Sequence, residues 1–550
     1  MKIAANGSSA AHAPANSRVA LTAAYVGGAD VLRVPVRLTA DGRAVVAEDD
    51  DTAPLAGAGG LISQSTFTEL RKLNVSASFR DAAGNAFHAP AMKIEPFALL
   101  LDAIPAQPWL LVEVRPEPDA ARRQKLVSQV LAAVRNRGLA ARTVLAGDAD
   151  TVGLAKTAAP GALTALRADA APAAQLQAAL DAGADAVVVD LSAVLDDPAG
   201  AAPALTPLAG DIASHVAAGR LKLGAMVLGG AVVAPAAFAR LAGEASVWAW
   251  VADSVLGAAP AFRPGWLWMD EKWAHSAADH EDVNAELWHL GYAKYNPQRN
   301  THVYPDGGIH VAIKPFTGDV KYVPTGDAVQ DQMHALLERT WEGTRDWPFY
   351  SGGGVGTVLG VEGDFSAEVD VQSDAAQQAT TVEMAAINVD PATHIKPWVQ
   401  HEDGSWHPNH PASFRDKHTF YDPHGAPPFA GVEHDEDDGW RINWNSGTDY
   451  DSNQYGKPWG DGKLLTGRMR LDRRGEWWAA YYRPTGSTAA ADWVCVGVAR
   501  NQSLNPRVYL RLAGKRWRQE DPKNPDQYVP VIPNHFVFRN LTLTRYVAPA

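Results

Sequence analysis

Two rhythms divide the chain. From residue 1 to about 262, short continuous apolar runs alternate with longer stretches in which apolar residues recur every three or four positions. The first kind suits a strand buried on both faces, the second an amphipathic helix. Strands are predicted over 31–38, 110–114, 143–145, 186–189, 223–227 and 247–251, and helices over 18–26, 120–137, 173–182 and 235–241. Gly138 and Gly183 stand just past two of these helices and just before a new apolar run. A glycine there ends a helix and turns the chain into the next strand, the connection that parallel α/β folds use. The pattern alone admits an open sheet or a closed barrel.

The stretch 258–264, AAPAFRP, reads as a boundary, because beyond it the helical rhythm fades. Short alternating runs bounded by Gly, Pro, Asn and Asp follow at 309–313, 355–361, 365–371, 381–389, 440–444, 467–471, 477–482, 493–498, 507–512 and 536–543. Strands at such spacing predict an antiparallel β-sandwich. One helix-like run, 328–339, interrupts them. The expected organisation is an α/β domain over 1–262, a linking segment over 263–350 and a sandwich over 351–550.

Composition sharpens the division. A chain of 550 residues exceeds what one core supports, so two or three domains are expected. Fifteen of the 18 Trp and 14 of the 17 His lie beyond residue 265, so the halves differ in chemistry as well as rhythm. A net charge of −13 argues against a phosphate-neutralising face, which excludes nucleic acid as the expected partner. No window is long and apolar enough for a membrane span, and MKIAANGSSAAHAP lacks the apolar core of a secretory signal. A cytoplasmic or virion-associated location, away from membranes, is therefore expected. One cysteine, Cys495, rules out an internal disulfide framework.

The most telling stretch is 27–52, GGADVLRVPVRLTADGRAVVAEDDDT. It resembles the opening of the glycerophosphodiester phosphodiesterase family: a Gly-Ala-Asp turn, a Glu-x-Asp strand, a Thr-x-Asp-Gly turn, then Val-Val-x-His-Asp. Val112-Glu113-Val114-Arg115 is similar to the family's Ile-Glu-Ile-Lys strand, and 247–251, VWAWV, looks like its last strand. The resemblance implies a (β/α)8 TIM-type barrel. In that family the Glu-x-Asp pair holds a divalent metal and the His-Asp pair carries a catalytic imidazole. Here the corresponding positions are Arg33, Pro35 and Glu48, with Asp49 alone unchanged. Ala5 and Asn6 stand in the family's His-Arg-Gly, and Pro14-Ala15-Asn16-Ser17 replaces Pro-Glu-Asn-Thr. A guanidinium repels a divalent metal and a proline supplies no ligand. The expectation is a barrel that keeps the fold, has lost the reaction and requires no cofactor.

Barrel sites lie at the C-terminal ends of the strands, so Arg33, Glu48, Asp49, Glu113 and Arg115 should gather there. Three outcomes are open: a salt-bridged plug, an anion or phosphosugar site using Arg33 and Arg115, or a phosphodiesterase rebuilt on Glu48, Asp49 and Glu113.

In the second half, 363–370 (GDFSAEVD), the run 468–475 (RMRLDRRG) and 536–541 (FVFRNL) resemble concanavalin A-like lectin and glucanase sandwiches, which implies a jelly roll. Trp440, Arg441, Asn443, Trp444, Trp477, Trp478 and Tyr481 mix aromatic faces with amide and guanidinium groups. That mixture suits a polysaccharide or cell-surface glycan. On a strand, Trp440, Ile442 and Trp444 share one face while Arg441 and Asn443 share the other. Asp449, Asp451 and Asn453 have the alternating oxygens of a calcium loop, without the Gly and Glu that complete an EF-hand. Seven histidines between 394 and 434 lack zinc-motif spacing and read as a loop. For hydrolysis the available acids are Glu368, Asp370, Glu383, Glu433 and Glu476, but the Glu-x-Asp-x-x-Glu strand of many glucanases is absent. The reading is a glycan-recognising protein, for which a place on a virion tail or spike suits the missing signal. The alternatives are a glycan-cleaving hydrolase or lyase with its site in the sandwich or interdomain cleft, and the rebuilt phosphodiesterase.

Overall fold

The computed structural model describes residues 2–5, 12–57, 59–80, 84, 92–167, 171–198, 202–228, 237, 240–241, 244, 247–252, 256, 265–273, 288–289, 301–304, 307–313, 351–357, 359–373, 380–388, 398–400, 406–408, 428–435, 439–446, 466–516, 520–521, 524–528 and 534–547. The chain divides into two compact units. The first is Met1–Gly265 with Ser487–Cys495, the second Trp266–Gly486 with Val496–Ala550. The boundary thus falls where the apolar rhythm changes, but the expected linking segment 263–350 is no separate piece. Its described strands are built into the second unit's sheets. The excursion 487–495 is tied down inside the first unit by His12, whose carbonyl accepts from the Cys495 amide at 2.6 Å.

The first unit is built on β1 (Lys2–Ala5), β2 (Val31–Leu38), β3 (Ala44–Val46), β4 (Trp109–Val114), β5 (Thr143–Gly147), β6 (Leu163–Leu166), β7 (Ala186–Asp190), β8 (Gly224–Leu228) and β9 (Val247–Ala252). Eight strands pair parallel in the order β1-β2-β4-β5-β6-β7-β8-β9, and β9 pairs back onto β1. That closure decides for a barrel over an open sheet. Helices Phe97–Ala103, Ala120–Asn136, Ala149–Ala158, Pro172–Asp181 and Pro207–Ala217 fall between successive strands, as a TIM-type fold requires. Most of the predicted helix 235–241 lies outside the described residues. β1 and β6 are the two barrel strands the sequence did not announce: each is four residues long and flanked by small residues, too short for a period to show.

Strand alternation sorts the side chains into two cores. Val31, Leu111, Val144, Ala165, Ala186, Val188, Met226 and Ala249 belong to one buried cluster within the ring of strands. A second cluster, with Val152, Leu176, Val187, Val189, Ile212 and Val227, joins the strands to their helices. The Thr39-Ala40-Asp41-Gly42 turn that joins β2 to the return strand β3 is self-specified. Thr39 Oγ1 donates to Asp41 at 2.5 Å, and Gly42 takes φ +76° where a Cβ would strike the Lys125 side chain.

The described residues of the second unit are mostly strands: β10 (Gly265–Glu271), β11 (Trp288–His289), β12 (Thr301–Tyr304), β13 (Gly308–Ile313), β14 (Ser351–Thr357), β15 (Val361–Glu362), β16 (Phe365–Ser373), β17 (Thr380–Ile387), β18 (Trp398–Gln400), β19 (Trp406–Pro408), β20 (Phe429–Asp435), β21 (Gly439–Asn445), β22 (Thr466–Arg474), β23 (Trp477–Pro484), β24 (Val494–Arg500), β25 (Arg507–Arg516), β26 (Glu520–Asp521), β27 (Asn524–Tyr528) and β28 (Asn534–Tyr546). One sheet runs β12-β13-β28-β16-β22-β23-β24 with β10 beside β28; the other runs β11-β14-β25-β17-β20-β21 with β15 beside β25. Two short hairpins, β18-β19 and β26-β27, stand apart. The sheets are made of antiparallel pairs and pack face to face. Trp440 of one stacks on Tyr482 of the other with ring centroids 4.4 Å apart. Glycines let the sheets approach: a Cβ at Gly497 would lie 2.4 Å from the Ile442 side chain. This is the sandwich the alternating pattern predicts.

Candidate functional site at the barrel mouth

On β2 the residues in phase with the interior Val31 are Arg33, Pro35 and Arg37, and on β4 the residues in phase with Leu111 are Glu113 and Arg115. Arg167 follows β6 in phase with Ala165. Period two therefore carries charged side chains into the C-terminal mouth of the barrel, directly above its apolar filling. Glu48 arrives from the end of the β3 run, which is held against β2 by the Ala47 amide donating to the Pro35 carbonyl at 3.1 Å.

These groups form one ion cluster. Arg33 donates Nε to Glu113 Oε2 at 2.7 Å and Nη2 to Glu48 Oε1 at 2.9 Å. Glu113 Oε1 also receives Arg167 Nη1 at 2.5 Å and a short bond from Arg115 Nη1. Arg115 reaches Glu48 at 3.3 Å, and Arg37 Nε donates to the Glu48 carbonyl at 3.1 Å. Asp49 is exposed beside the cluster, and Asp50 is occupied by the Ser63 amide and hydroxyl. The sequence expectation that Arg33, Glu48, Glu113 and Arg115 gather is met; Arg37 and Arg167 are the members it missed. Arg37 was legible from the phase of β2, whereas Arg167 needed β6.

Burial on its own would push the Glu113 carboxyl up, but the guanidiniums of Arg33, Arg167 and Arg115 overcome it and hold the pKa below the usual range. Burial opposes the charge on Arg33 too, and Glu113 and Glu48 reverse the effect, raising its pKa. Arg37 is lowered, by burial first and by Arg115 second. Both Glu113 oxygens and Oε1 of Glu48 are thus bonded to guanidinium, while Glu48 Oε2 is buried without a partner. Among the described residues no group of three or more His, Cys, Asp or Glu is arranged to hold a metal. These residues do not fit the divalent ion that the resemblance implies.

The sandwich residues predicted to bind a sugar fare differently. Trp478 and Tyr481 are almost wholly buried, and so are Trp440, Arg441 and Asn443. Trp440 is closed between Tyr482 and the imidazole of His434, and Trp478 meets Phe365 edge-on in the core. A buried ring offers no face to a sugar, so these five are corrected to structural roles. The two-faced reading of β21 holds: Ile442 meets Gly497 in the core, while Arg441 and Asn443 donate to Glu433 on the other face, Asn443 at 2.9 Å. Trp444 and Trp477 remain half-buried. Sequence reasoning missed Trp266, which is 46% exposed with the Arg545 guanidinium 5.3 Å from its ring centre. Asp449, Asp451 and Asn453, the helix-like run 328–339 and most of the histidine-rich stretch lie outside the described residues.

Among the candidate acids, Glu368 and Asp370 are paired with Arg468, and Glu476 with Arg500. Glu383 and Glu433 are buried against Arg511 and Arg441. No helix among the described residues is long and apolar enough to cross a membrane.

A parallel barrel with its ionic cluster at the C-terminal mouth defines the class of the first unit. The sequence profile of the glycerophosphoryl diester phosphodiesterase family matches residues 6–204, and the N-terminal half resembles that family. An uncharacterized protein of Mycobacterium tuberculosis strain H37Rv is 26% identical over 134 residues, 24% of this chain and 43% of that protein. The chain therefore spans less than half the length of that curated relative. Similar solved structures include a glycerophosphodiester phosphodiesterase from Agrobacterium tumefaciens, 17% identical, with a TM-score of 0.37 over 46% of this chain and 97% of that one. Another is an Oleispira antarctica phosphodiesterase in complex with the product sn-glycerol-3-phosphate, 15% identical, with a TM-score of 0.39 over 48% of this chain and 96% of that one.

Proposed function

We propose that the chain is a recognition protein. Its phosphodiesterase-like barrel has lost metal-dependent hydrolysis, and its sandwich, of the concanavalin A-like jelly-roll kind, binds a polysaccharide or cell-surface glycan. The observation that carries the first part is Arg33: one side chain spans Glu48 and Glu113, so its charge lies where a metal would need theirs. The glycan reading is supported by aromatic rings that keep some exposure and an Arg partner. Arg545 lies over the Trp266 ring and Arg500 over the Trp477 ring, a pairing of apolar surface with a hydrogen-bond donor that a sugar-binding platform uses. Calcium at Asp449, Asp451 and Asn453, and a place on a virion tail or spike, belong to the same reading.

The test has two arms. A glycerophosphodiester incubated with the protein and Mg2+, Mn2+ or Ca2+ is expected to stay intact; turnover that disappears in Glu113→Ala overturns the first part. A glycan array, repeated with chelator, is expected to give a hit that Trp266→Ala or Trp477→Ala weakens. Release of reducing ends from that hit would make the sandwich an enzyme instead. A second reading of the mouth is favoured by Arg115 Nε, which is buried without a hydrogen-bond partner, and by the half-exposed Arg167: the cluster binds a phosphate ester without cleaving it.

A further inference from the structure

The two carboxylates of the barrel mouth are held unequally. The Glu113 side chain is 5% exposed and uses both oxygens, accepting from Arg33 Nε through Oε2 at 2.7 Å and from Arg115 and Arg167 through Oε1. The Glu48 side chain is 28% exposed and uses one. Its Oε1 accepts from Arg33 Nη2 at 2.9 Å and lies 3.3 Å from Arg115 Nη1, while Oε2 is buried with no hydrogen-bond partner. A buried carboxylate oxygen without a donor is unfavourable, so Glu48 is the more weakly seated of the two. The backbone beneath it is fixed, by the Ala47 amide on the Pro35 carbonyl and by Arg37 Nε on the Glu48 carbonyl. Its side chain alone can leave, by turning about its own bonds. Arg115, one of the guanidiniums it touches, already has Nε buried without a partner.

We propose that Glu48 is a built-in competitor for the mouth: its carboxylate occupies the seat of an oxyanion on Arg33 and Arg115, and a phosphate ester binds by displacing it. The inference rests on the phosphate-ester reading of the cluster and adds what controls entry to it. A phosphate monoester brings a charge of about −1.5 to −2 and three acceptor oxygens at neutral pH, where Glu48 brings one charge and one bonded oxygen, so the exchange favours the ester. Three guanidiniums on two carboxylates leave positive charge in excess to receive it. Glu113 stays in place, because it is the buried post on which Arg33, Arg115 and Arg167 are fixed. The affinity of the unaltered chain is then lowered by the fraction of molecules in which Glu48 holds the seat.

The experiment titrates the full chain with inorganic phosphate and with phenyl phosphate by calorimetry, in the parent, in Glu48→Gln and in Glu113→Gln, with circular dichroism to check that each folds. Glu48→Gln keeps the shape and removes the competing charge, so both dissociation constants should fall about threefold to tenfold. Glu113→Gln should weaken binding. The opposite signs are decisive, because each variant removes one negative charge: tightening in both is a general charge effect and overturns displacement. Parent binding that Glu48→Gln leaves unchanged or weakens also overturns displacement, and leaves the phosphate-ester reading standing. No binding in any of the three chains overturns that reading and this inference with it. Tightening for inorganic phosphate alone makes the free ion the ligand and overturns the ester. A crystal of the unaltered chain grown with phenyl phosphate needs no variant: the Glu48 carboxylate should stand away from Arg33 with a phosphate oxygen in its place. Phosphate at the mouth with the Arg33 to Glu48 bond intact overturns the proposal.

Discussion

Arg33 in the barrel and Arg441 in the sandwich are both strand residues, both almost fully buried, and both bonded to a glutamate of the adjacent strand. They differ in what surrounds the pair. Glu433 takes Arg441 and the Asn443 amide on a sheet face that is closed around them. Glu113 is shared by Arg33, Arg115 and Arg167 at an open barrel end, where the Arg167 side chain is 33% exposed. A closed pair has its desolvation offset by protein groups alone, so it is a structural commitment. An open cluster lets water carry part of the charge, and its guanidiniums outnumber the carboxylates they share. The same two residue types thus serve stability in one unit and a candidate site in the other.

The sharpest way to break that comparison is Arg441→Met. It takes the guanidinium away from the buried Glu433, and stability should fall by about 3–5 kcal/mol. Denaturant unfolding followed by tryptophan fluorescence reads it, since the sandwich holds most of the indoles. A loss no larger than that of a surface pair would show that Glu433 is solvated after all.

Next in size is Glu113→Gln, which removes the hub of the mouth. Water reaches the stranded guanidiniums, so the expected loss is smaller, about 1.5–3 kcal/mol. The same variant carries a pH signature. The Glu113 carboxyl is depressed in the folded chain, so its contribution is fully present above the unfolded value of about 4.3 and is lost as pH falls through the folded pKa. Stability plotted against pH should therefore descend more gently below about pH 4 in Glu113→Gln than in the parent chain. Parallel acid limbs would mean that Glu113 does not titrate in folding.

How much of this was legible follows from the length of each signal. The eight residues of β2 form an apolar run long enough to announce the strand, the family resemblance set Arg33 at its C-terminal end, and the Thr39 to Gly42 turn is written in its own side chains. The four of β6 are not, and Arg167 was missed with them. In the sandwich the alternation of β21 showed correctly that Trp440 and Arg441 face opposite ways, but not which face is covered. A strand's period gives two faces without naming the wet one; that depends on the second sheet, and Tyr482 from β23 is what closes over Trp440. The Arg-for-carboxylate exchange at position 33 was the opposite case. The expectation drawn from it, that a metal would be repelled, rests on charge and on the family resemblance and uses no tertiary contact.

The smallest expected effect on stability tests the open cluster most directly. Arg167 reaches Glu113 from the end of β6 with a third of its side chain in water, and Arg33 and Arg115 remain on the same carboxylate if it is removed. Arg167→Met should therefore change stability by no more than about 1 kcal/mol. If the mouth binds an oxyanion, the same change removes the most accessible of the guanidiniums, and titration with a phosphate ester should show an affinity loss out of proportion to the stability loss. The two readouts separate the functions of the residue: a Met variant that is destabilised as much as Glu113→Gln would place Arg167 with the closed kind of pair, and one that binds phosphate esters as well as the parent would leave the mouth a plug.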